Sequence, residues 1–558
     1  MATIYEIADL FVEEFAALNP LGSTGMGVAG HDGQMTDFSP DGMRAQYDFR
    51  KRILKELEES VAVNDRERIA KDCMMDDLQI AVDQYEAGQH LQGLNVLSSP
   101  LQAIRSCFDL MPKGTTEDWE NIASRLHLVG EAIQSYRASL LLGIDTGFVA
   151  ARRQAVECAR QAEIWSGQEG AGSFFHDLIS GYVTVPGKPA SLLKVLEEGA
   201  SEAANAYAEM AAFLKDQYAP VARDNDAVGK DRYALMSRGF NGIDLDLDQT
   251  YAWAWEQLHW VDEELVATAE VILPGGGIEG AKERLESDPS KIIEGEAAFK
   301  LWMQDLQDRT MEDLDGTHFD IPTPVKRIEA LIAPPGGALA MYYTGPSEDF
   351  SRPGRTWYPT GGKTRFPIWG EVSIAYHEGV PGHHLQIATT KYLSDALSRY
   401  QRLLAGTSGY KEGWALYAER LMGELGYLSN PDYYFGLLRS QALRCVRVIV
   451  DIGMHLGLKI PIDQQFYPGE IWNPDIGLEF VLQRSHFPKA FVSSEVVRYL
   501  GMPGQAISYK VGERCWLDAR SKAKEKLGSG FDLKAWHNRA LNLGPMGLAQ
   551  MQREMENI

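Results

Sequence analysis

The amino-acid pattern predicts a mainly α fold with only a few short strands. Two observations carry that reading. Apolar residues recur at helical spacing over most of the 558 residues, and the Val-rich alternation of half-buried strands is scarce. Helices are expected at Ile4–Leu18, where Glu13 and Glu14 fall outside the apolar stripe, and across the charged span 41–87. Further helices are expected at 117–142, 147–166, 190–215 and Leu247–Ile272. The short strand candidates are 338–344 and the region near Ile368. Breakers gather at Pro186-Gly187, at Pro274-Gly275-Gly276-Gly277, and at 322–324, 334–337 and 345–362. The glycine run after Pro274 lacks the Lys and Ser/Thr of a phosphate loop, so a helix-to-helix turn is expected there.

Apolar residues make up 45% of the chain and charged residues 24%, which excludes a disordered polypeptide on composition. The net charge of -24 repels phosphate backbones and anionic bilayers, so neither nucleic acid nor membrane is an expected partner. Cys73, Cys107, Cys158, Cys445 and Cys515 are scattered and never form a CxxC pair. That usage suits a reducing compartment and argues against a Cys-ligated metal. The opening residues place Glu6 and Asp9 where a signal peptide needs a basic region. The uncharged span 330–347 is broken by Pro334-Pro335-Gly336-Gly337. The expected location is cytoplasmic. Composition shifts near residue 320, from charged helices to stretches rich in Gly, Pro, Tyr and Trp. The expected organisation is a helical scaffold over 1–320 and a catalytic region over 321–558, two parts that can pack as one body around a cleft.

Chemistry concentrates in His377-Glu378-Gly379-Val380-Pro381-Gly382-His383-His384. Two His one turn apart with an adjacent Glu is the logic of the HExxH zinc motif, yet here the fourth position after His377 is Pro381. On an unbroken helix His384 would return to the His377 face, but about 10.5 Å further along the axis. His383 would point about 120° away. Neither can then share one zinc with His377 at Zn–N bonds of about 2.0–2.1 Å. Pro381 and Gly382 permit a break. A two-residue bulge brings His383 into place, and a three-residue bulge brings His384. The two-residue count is preferred, with His384 left beside the ligand set or facing substrate. A third ligand is expected to be a carboxylate on a following helix. Glu412 and Glu419, seven apart in Glu412-Gly413-Trp414-Ala415-Leu416-Tyr417-Ala418-Glu419, can share one helix face. The aromatic residues around them imply burial, and a buried carboxylate needs a partner such as a metal.

These stretches, together with Pro503-Gly504-Gln505-Ala506-Ile507-Ser508-Tyr509-Lys510-Val511-Gly512, resemble the bacterial DUF885 family. Phe11-Val12-Glu13-Glu14-Phe15 and Thr36-Asp37-Phe38-Ser39-Pro40 also resemble that family's opening, so the likeness spans nearly the whole chain. The family looks like gluzincin-type zinc metallopeptidases with a large helical fold similar to neurolysin and a deep cleft. The resemblance implies that His377, His383 and Glu412 bind zinc and that Glu378 is the general base.

Three further features accompany the motif. Tyr509 is the expected oxyanion donor, with a core tyrosine as the competing reading, and Gly512 beside it is read as a glycine lining a substrate channel. Arg444, Arg447, Asp451 and His455 are spaced along one helix face, where they can bind a substrate carboxylate, support the metal site or form an internal Arg447–Asp451 salt bridge. His455 is the alternative oxyanion donor. Tyr342, Tyr343, Trp357 and Tyr358 are candidates to line the cleft. The expected function is zinc-dependent hydrolysis of short peptides. The alternatives are hydrolysis of another small amide or ester, or a non-catalytic binding protein that keeps the metal site.

Overall fold

The computed structural model describes residues 2–170, 172–184, 189–333, 340–556 and 558. The described residues are mainly helical, with two small sheets. Ile4–Leu18 is one helix because Thr3 and Glu6 close a reciprocal cap: the Thr3 hydroxyl accepts from Glu6 N–H, and the Glu6 carboxylate accepts from Thr3 N–H at 2.8 Å. The span 41–87 divides into Pro40–Glu59 and Asp65–Glu86. The glycine run after Pro274 joins Leu247–Ile272 to Gly277–Ser287, a helix-to-helix turn as expected. The breakers at Pro186-Gly187 and 334–337 lie outside the described residues, as do the first two residues of the strand expected at 338–344; its end forms Tyr342–Thr344. Near Ile368 the strand is Arg365–Pro367, and Ile368–Gly370 is a 3₁₀ turn. No helix among the described residues is long and apolar enough to cross a membrane. All five cysteines are buried and unpaired.

The chain forms two compact units. The first comprises Met1–Val63, Leu78–Val228 and Leu500–Met502, and the second Asn64–Asp77, Gly229–Tyr499 and Pro503–Ile558. The main division therefore falls after Val228, and the compositional shift near residue 320 lies inside the second unit. The charged helices before 320 conceal this in the sequence. Leu247–Ile272 is polar outside but buries Tyr251, Trp255, Leu258, Val261 and Leu265, and it packs along Pro431–Leu456 of its own unit.

In the first unit, Pro100–Leu110, Thr116–Thr146, Arg152–Ser166 and Ala190–Phe213 enclose a core that includes Phe108, Trp119, Ile133, Phe175 and Tyr207. In the second unit, Pro431–Leu456 is buried almost continuously from Phe435 to His455. A three-stranded sheet has Gly354–Tyr358 at its centre, parallel to Ile328–Ile332 and antiparallel to Tyr342–Thr344. The four aromatic residues expected along a cleft pack within this sheet's surroundings. Tyr358 is buried against Phe299, Trp357 stacks on Tyr342 and donates to Thr344, and Tyr343 meets His384.

Ser408–Glu424 and Ser508–Leu527 cross with their backbones in contact. A Cβ on Gly512 would lie 2.1 Å from the Gly409 carbonyl oxygen and 2.5 Å from Gly413 Cα. Gly512 thus serves a helix crossing, not a substrate channel, and the close approach brings the Tyr509 turn beside the helix that carries Glu412. Overpacking of this kind typically costs about 1–3 kcal/mol. Gly512→Ala is expected to lower the apparent melting temperature followed by circular dichroism. An unchanged melting temperature would show that the crossing has slack.

Candidate metal centre

His377 ends the helix Glu371–Glu378, and His383 begins the helix His383–Tyr392. Between them the chain leaves the helical path entirely, through a cis Val380–Pro381 bond, in place of the local bulge expected from the spacing. Gly382 N–H donates to the Tyr376 carbonyl at 3.0 Å. Only glycine fits there, since a Cβ would fall 1.9 Å from the His377 carbonyl oxygen. The two imidazoles end 4.9 Å apart between ring centroids. The Trp414 indole N–H, from the Ser408–Glu424 helix, donates to the carbonyls of Pro381 and Gly382 at 2.9 and 3.1 Å and joins the break to the helix bearing Glu412.

His377, His383 and Glu412 each offer a ligand atom, and these atoms lie within 4.8 Å of one another. Glu412 Oε2 is 3.3 Å from His377 Nε2 and 3.4 Å from His383 Nε2. Charge-assisted hydrogen bonds are shorter, about 2.7–2.9 Å. Ligands on a tetrahedral zinc at bonds of about 2.0–2.1 Å are separated by roughly 3.3 Å. The observed edges match that spacing. The three side chains fit a metal.

Glu419 supplies what the sequence reading left without a role. It is fully buried, one oxygen accepts from His377 Nδ1 at 2.8 Å, and the other accepts from the Ser373 hydroxyl. Its hold on Nδ1 leaves Nε2 turned toward Glu412, the carboxylate–histidine arrangement that orients metal ligands. The only sequence signal was its seven-residue offset from Glu412 on one helix face. Burial pulls the His377 imidazole down, but its hydrogen bonds to Glu412 and Glu419 and the charges of Glu419 and Glu378 outweigh it, raising its pKa to about 9. Burial pushes the Glu412 carboxyl up, and the charges and hydrogen bonds of His383 and His377 overcome this and hold it well below the usual range.

His384 is not beside the ligand set as a free group. Its Nδ1 meets the Tyr343 hydroxyl at 2.9 Å and its Nε2 the Val325 carbonyl at 2.7 Å, and burial lowers its pKa to about 4. Glu378 is nine-tenths buried, and its carboxylate makes no hydrogen bond or ion pair among the described residues. Burial, reinforced by the charge of Glu412, raises its pKa against the pull of His383, His377 and Arg444. Tyr509, in the first turn of Ser508–Leu527, lies with its ring 6.3 Å from that of His377, and its hydroxyl makes no hydrogen bond among the described residues.

The structure does not bring His455 to this group. It is buried with Asp451, Tyr233 and the Tyr499 carbonyl, its Nε2 3.1 Å from the last. The Arg447–Asp451 pairing expected from the spacing is also absent among the described residues. Arg447 binds Glu495 and Tyr499, whereas Asp451 accepts from the Tyr233 hydroxyl at 2.7 Å and from Gly504 N–H at 2.9 Å. Asp451 therefore anchors the turn that leads into Tyr509. Lys510, bonded to Gln441 at 2.8 Å and Glu513 at 2.5 Å, ties the same turn to Pro431–Leu456.

Loss of a carboxylate behind a metal-bound imidazole typically weakens metal binding roughly 10–100-fold. Glu419→Ala is expected to weaken zinc by that factor, measured by competition with a chromogenic chelator. Unchanged affinity would remove Glu419 from this supporting role.

Two solved structures superpose on the whole chain. One is a putative lipoprotein from Colwellia psychrerythraea, with a TM-score of 0.84 at 19% identity, covering 100% of this chain and 99% of that one. The other is a putative lipoprotein of unknown function from Shewanella oneidensis, with a TM-score of 0.75 at 16% identity, covering 100% of both. At these identities the likeness is one of fold. No curated protein matches the chain. Residues 20–555 match the family described as "Bacterial protein of unknown function (DUF885)", and the chain belongs to that family.

Proposed function

We propose that this protein is a zinc-dependent hydrolase that cleaves amide bonds of short peptides, in the manner of gluzincin-type peptidases. The observation that carries the reading is Glu378, a largely buried carboxylate free of protein hydrogen bonds beside two imidazoles and a second carboxylate at metal-ligand spacing. A largely buried carboxylate that protein groups leave free to meet water or substrate is characteristic of working sites. A zinc ion held by His377, His383 and Glu412 would supply Lewis-acid polarisation of a carbonyl and bring the pKa of a water toward ~7.

The chain's own groups account for the remaining steps. Glu419 holds the His377 tautomer, with the proton on Nδ1. The Glu378 carboxylate accepts a proton from the attacking water and returns it to the leaving nitrogen. The carbon–nitrogen bond breaks, the water oxygen stays on the acyl carbon, and the products are a carboxylic acid and an amine. The Tyr509 hydroxyl, kept protonated by burial and by the charge of Glu412, is available to donate to the carbonyl oxygen as charge develops there. His455 is set aside as the donor because it lies in the Asp451 network. The buried, unpaired cysteines support a cytoplasmic setting, and the net charge of -24 supports substrates other than nucleic acid.

Glu378→Gln is expected to retain zinc and to lose hydrolysis of a short-peptide library by ~10²–10⁴-fold. Mass spectrometry of the digest and elemental analysis of the same sample make the comparison. Undiminished cleavage in this variant would remove Glu378 from the mechanism.

A further inference from the structure

Pro431–Leu456 carries two arginines, Arg444 and Arg447, that face carboxylates yet keep hydrogen-bond donors unused. Arg444 is nine-tenths buried. One of its N–H groups reaches the Ser440 carbonyl at 3.3 Å, its Nη2 is 4.0 Å from Glu419, and its Nε is buried with no partner. Both oxygens of Glu419 are already engaged by His377 and Ser373, so Glu419 does not satisfy this guanidinium. Arg447 is bound through Nε to Tyr499 and through Nη2 to Glu495, and its Nη1 makes no hydrogen bond among the described residues. Glu495 is shared with Arg498, so one carboxylate faces two guanidiniums. Arginine cannot shed its proton, and a buried guanidinium with unspent donors calls for an anion.

Both guanidiniums lie close to the Tyr509 ring. The guanidinium carbons of Arg444 and Arg447 lie 5.7 and 4.7 Å from the centroid of the Tyr509 ring. That ring is itself 6.3 Å from the ring of His377. No more than about three extended residues, at roughly 3.3–3.6 Å each, fit between the metal ligands and the two arginines. A planar carboxylate matches the fork of an arginine, and every short peptide ends in one.

We propose that Arg444 and Arg447 form a subsite for the C-terminal carboxylate of a peptide, so that the enzyme releases one to three residues from C-terminal ends. The assignment rests on the peptidase reading above and adds the end of the chain from which it works.

The test is calorimetric binding to zinc-loaded Glu378→Gln, which needs no turnover. Three probes are used: a mixture of tetrapeptides with free C-termini, the same mixture amidated, and an amidated mixture ending in Asp. The free acids are expected to bind roughly 10–100-fold more tightly than the amides, the range of a charge-assisted hydrogen bond. Adding Arg444→Gln to that variant should abolish the difference while zinc content stays at its parent level. Arg444→Lys is expected to retain part of the preference and covers the case in which the glutamine variant fails to fold. Equal binding of acid and amide, or no binding of either, would overturn the subsite. Recovery of full affinity by the Asp side chain would overturn its assignment to the chain terminus. If Arg444→Gln loses zinc and leaves the acid preference intact, Arg444 is a support for Glu419 and the proposal falls. Digestion of both libraries by the unmodified enzyme separates the two readings. Equal cleavage of acids and amides leaves the peptidase standing without the subsite. Acid-selective binding without cleavage leaves the subsite standing without the peptidase.

Discussion

The indole N–H of Trp414 reaches across to the carbonyls of Pro381 and Gly382, where the helix ending at Glu378 has broken and the next has not begun. Those carbonyls lie in a buried stretch where backbone acceptors need donors. Trp414 therefore makes the break tenable and fixes where it sits. It also belongs to the helix that carries Glu412 and Glu419, so one side chain locks the motif to both carboxylates. The placement of His383 beside His377 depends on that join and on the missing Cβ of Gly382.

Electrostatics then define what the cluster lacks. The buried Glu378 and Glu419 and the partly exposed Glu412 are gathered around two imidazoles. With His377 held by Glu419 on one side and turned to Glu412 on the other, an imidazolium partly offsets the negative charge, as its raised pKa records. The remaining carboxylate, Glu378, makes no ion pair among the described residues, and the charges of His383, His377 and Arg444 act on it from a distance. A divalent cation held by His377, His383 and Glu412 would take the place of the His377 Nε2 proton and would offset more of this negative charge. The arginines on Pro431–Leu456 lie within 5.7 Å of the Tyr509 ring, and that ring lies 6.3 Å from the ring of His377.

The helical class and most helix positions were legible in the sequence because amphipathic periodicity survives in long surface helices such as Leu247–Ile272. Donor chemistry and spacing pointed to His377 and favoured His383 over His384, but left Glu412 and Glu419 both open, and the family resemblance pointed to Glu412. What the spacing could not convey was partner identity inside a buried helix. Arg447 and Asp451 are one turn apart on Pro431–Leu456, yet each finds its partner on another segment, Glu495 and Gly504 respectively. His455 shared their face and proved to belong to that structural network. Gly512 looked like a channel glycine because a close approach has no signature that tells a helix backbone from a ligand. The division after Val228 was hidden for a related reason: surface charge dominates composition, while membership of a unit is set by the buried stripe.

The central claim is that His377, His383 and Glu412 form one zinc site across a broken helix. Elemental analysis of the purified protein beside His383→Ala and His384→Ala tests it most directly. The account predicts one zinc per chain in the unmodified protein, loss of zinc in His383→Ala, and retention in whatever fraction of His384→Ala folds. Zinc retained by His383→Ala, or lost only from folded His384→Ala, would contradict it.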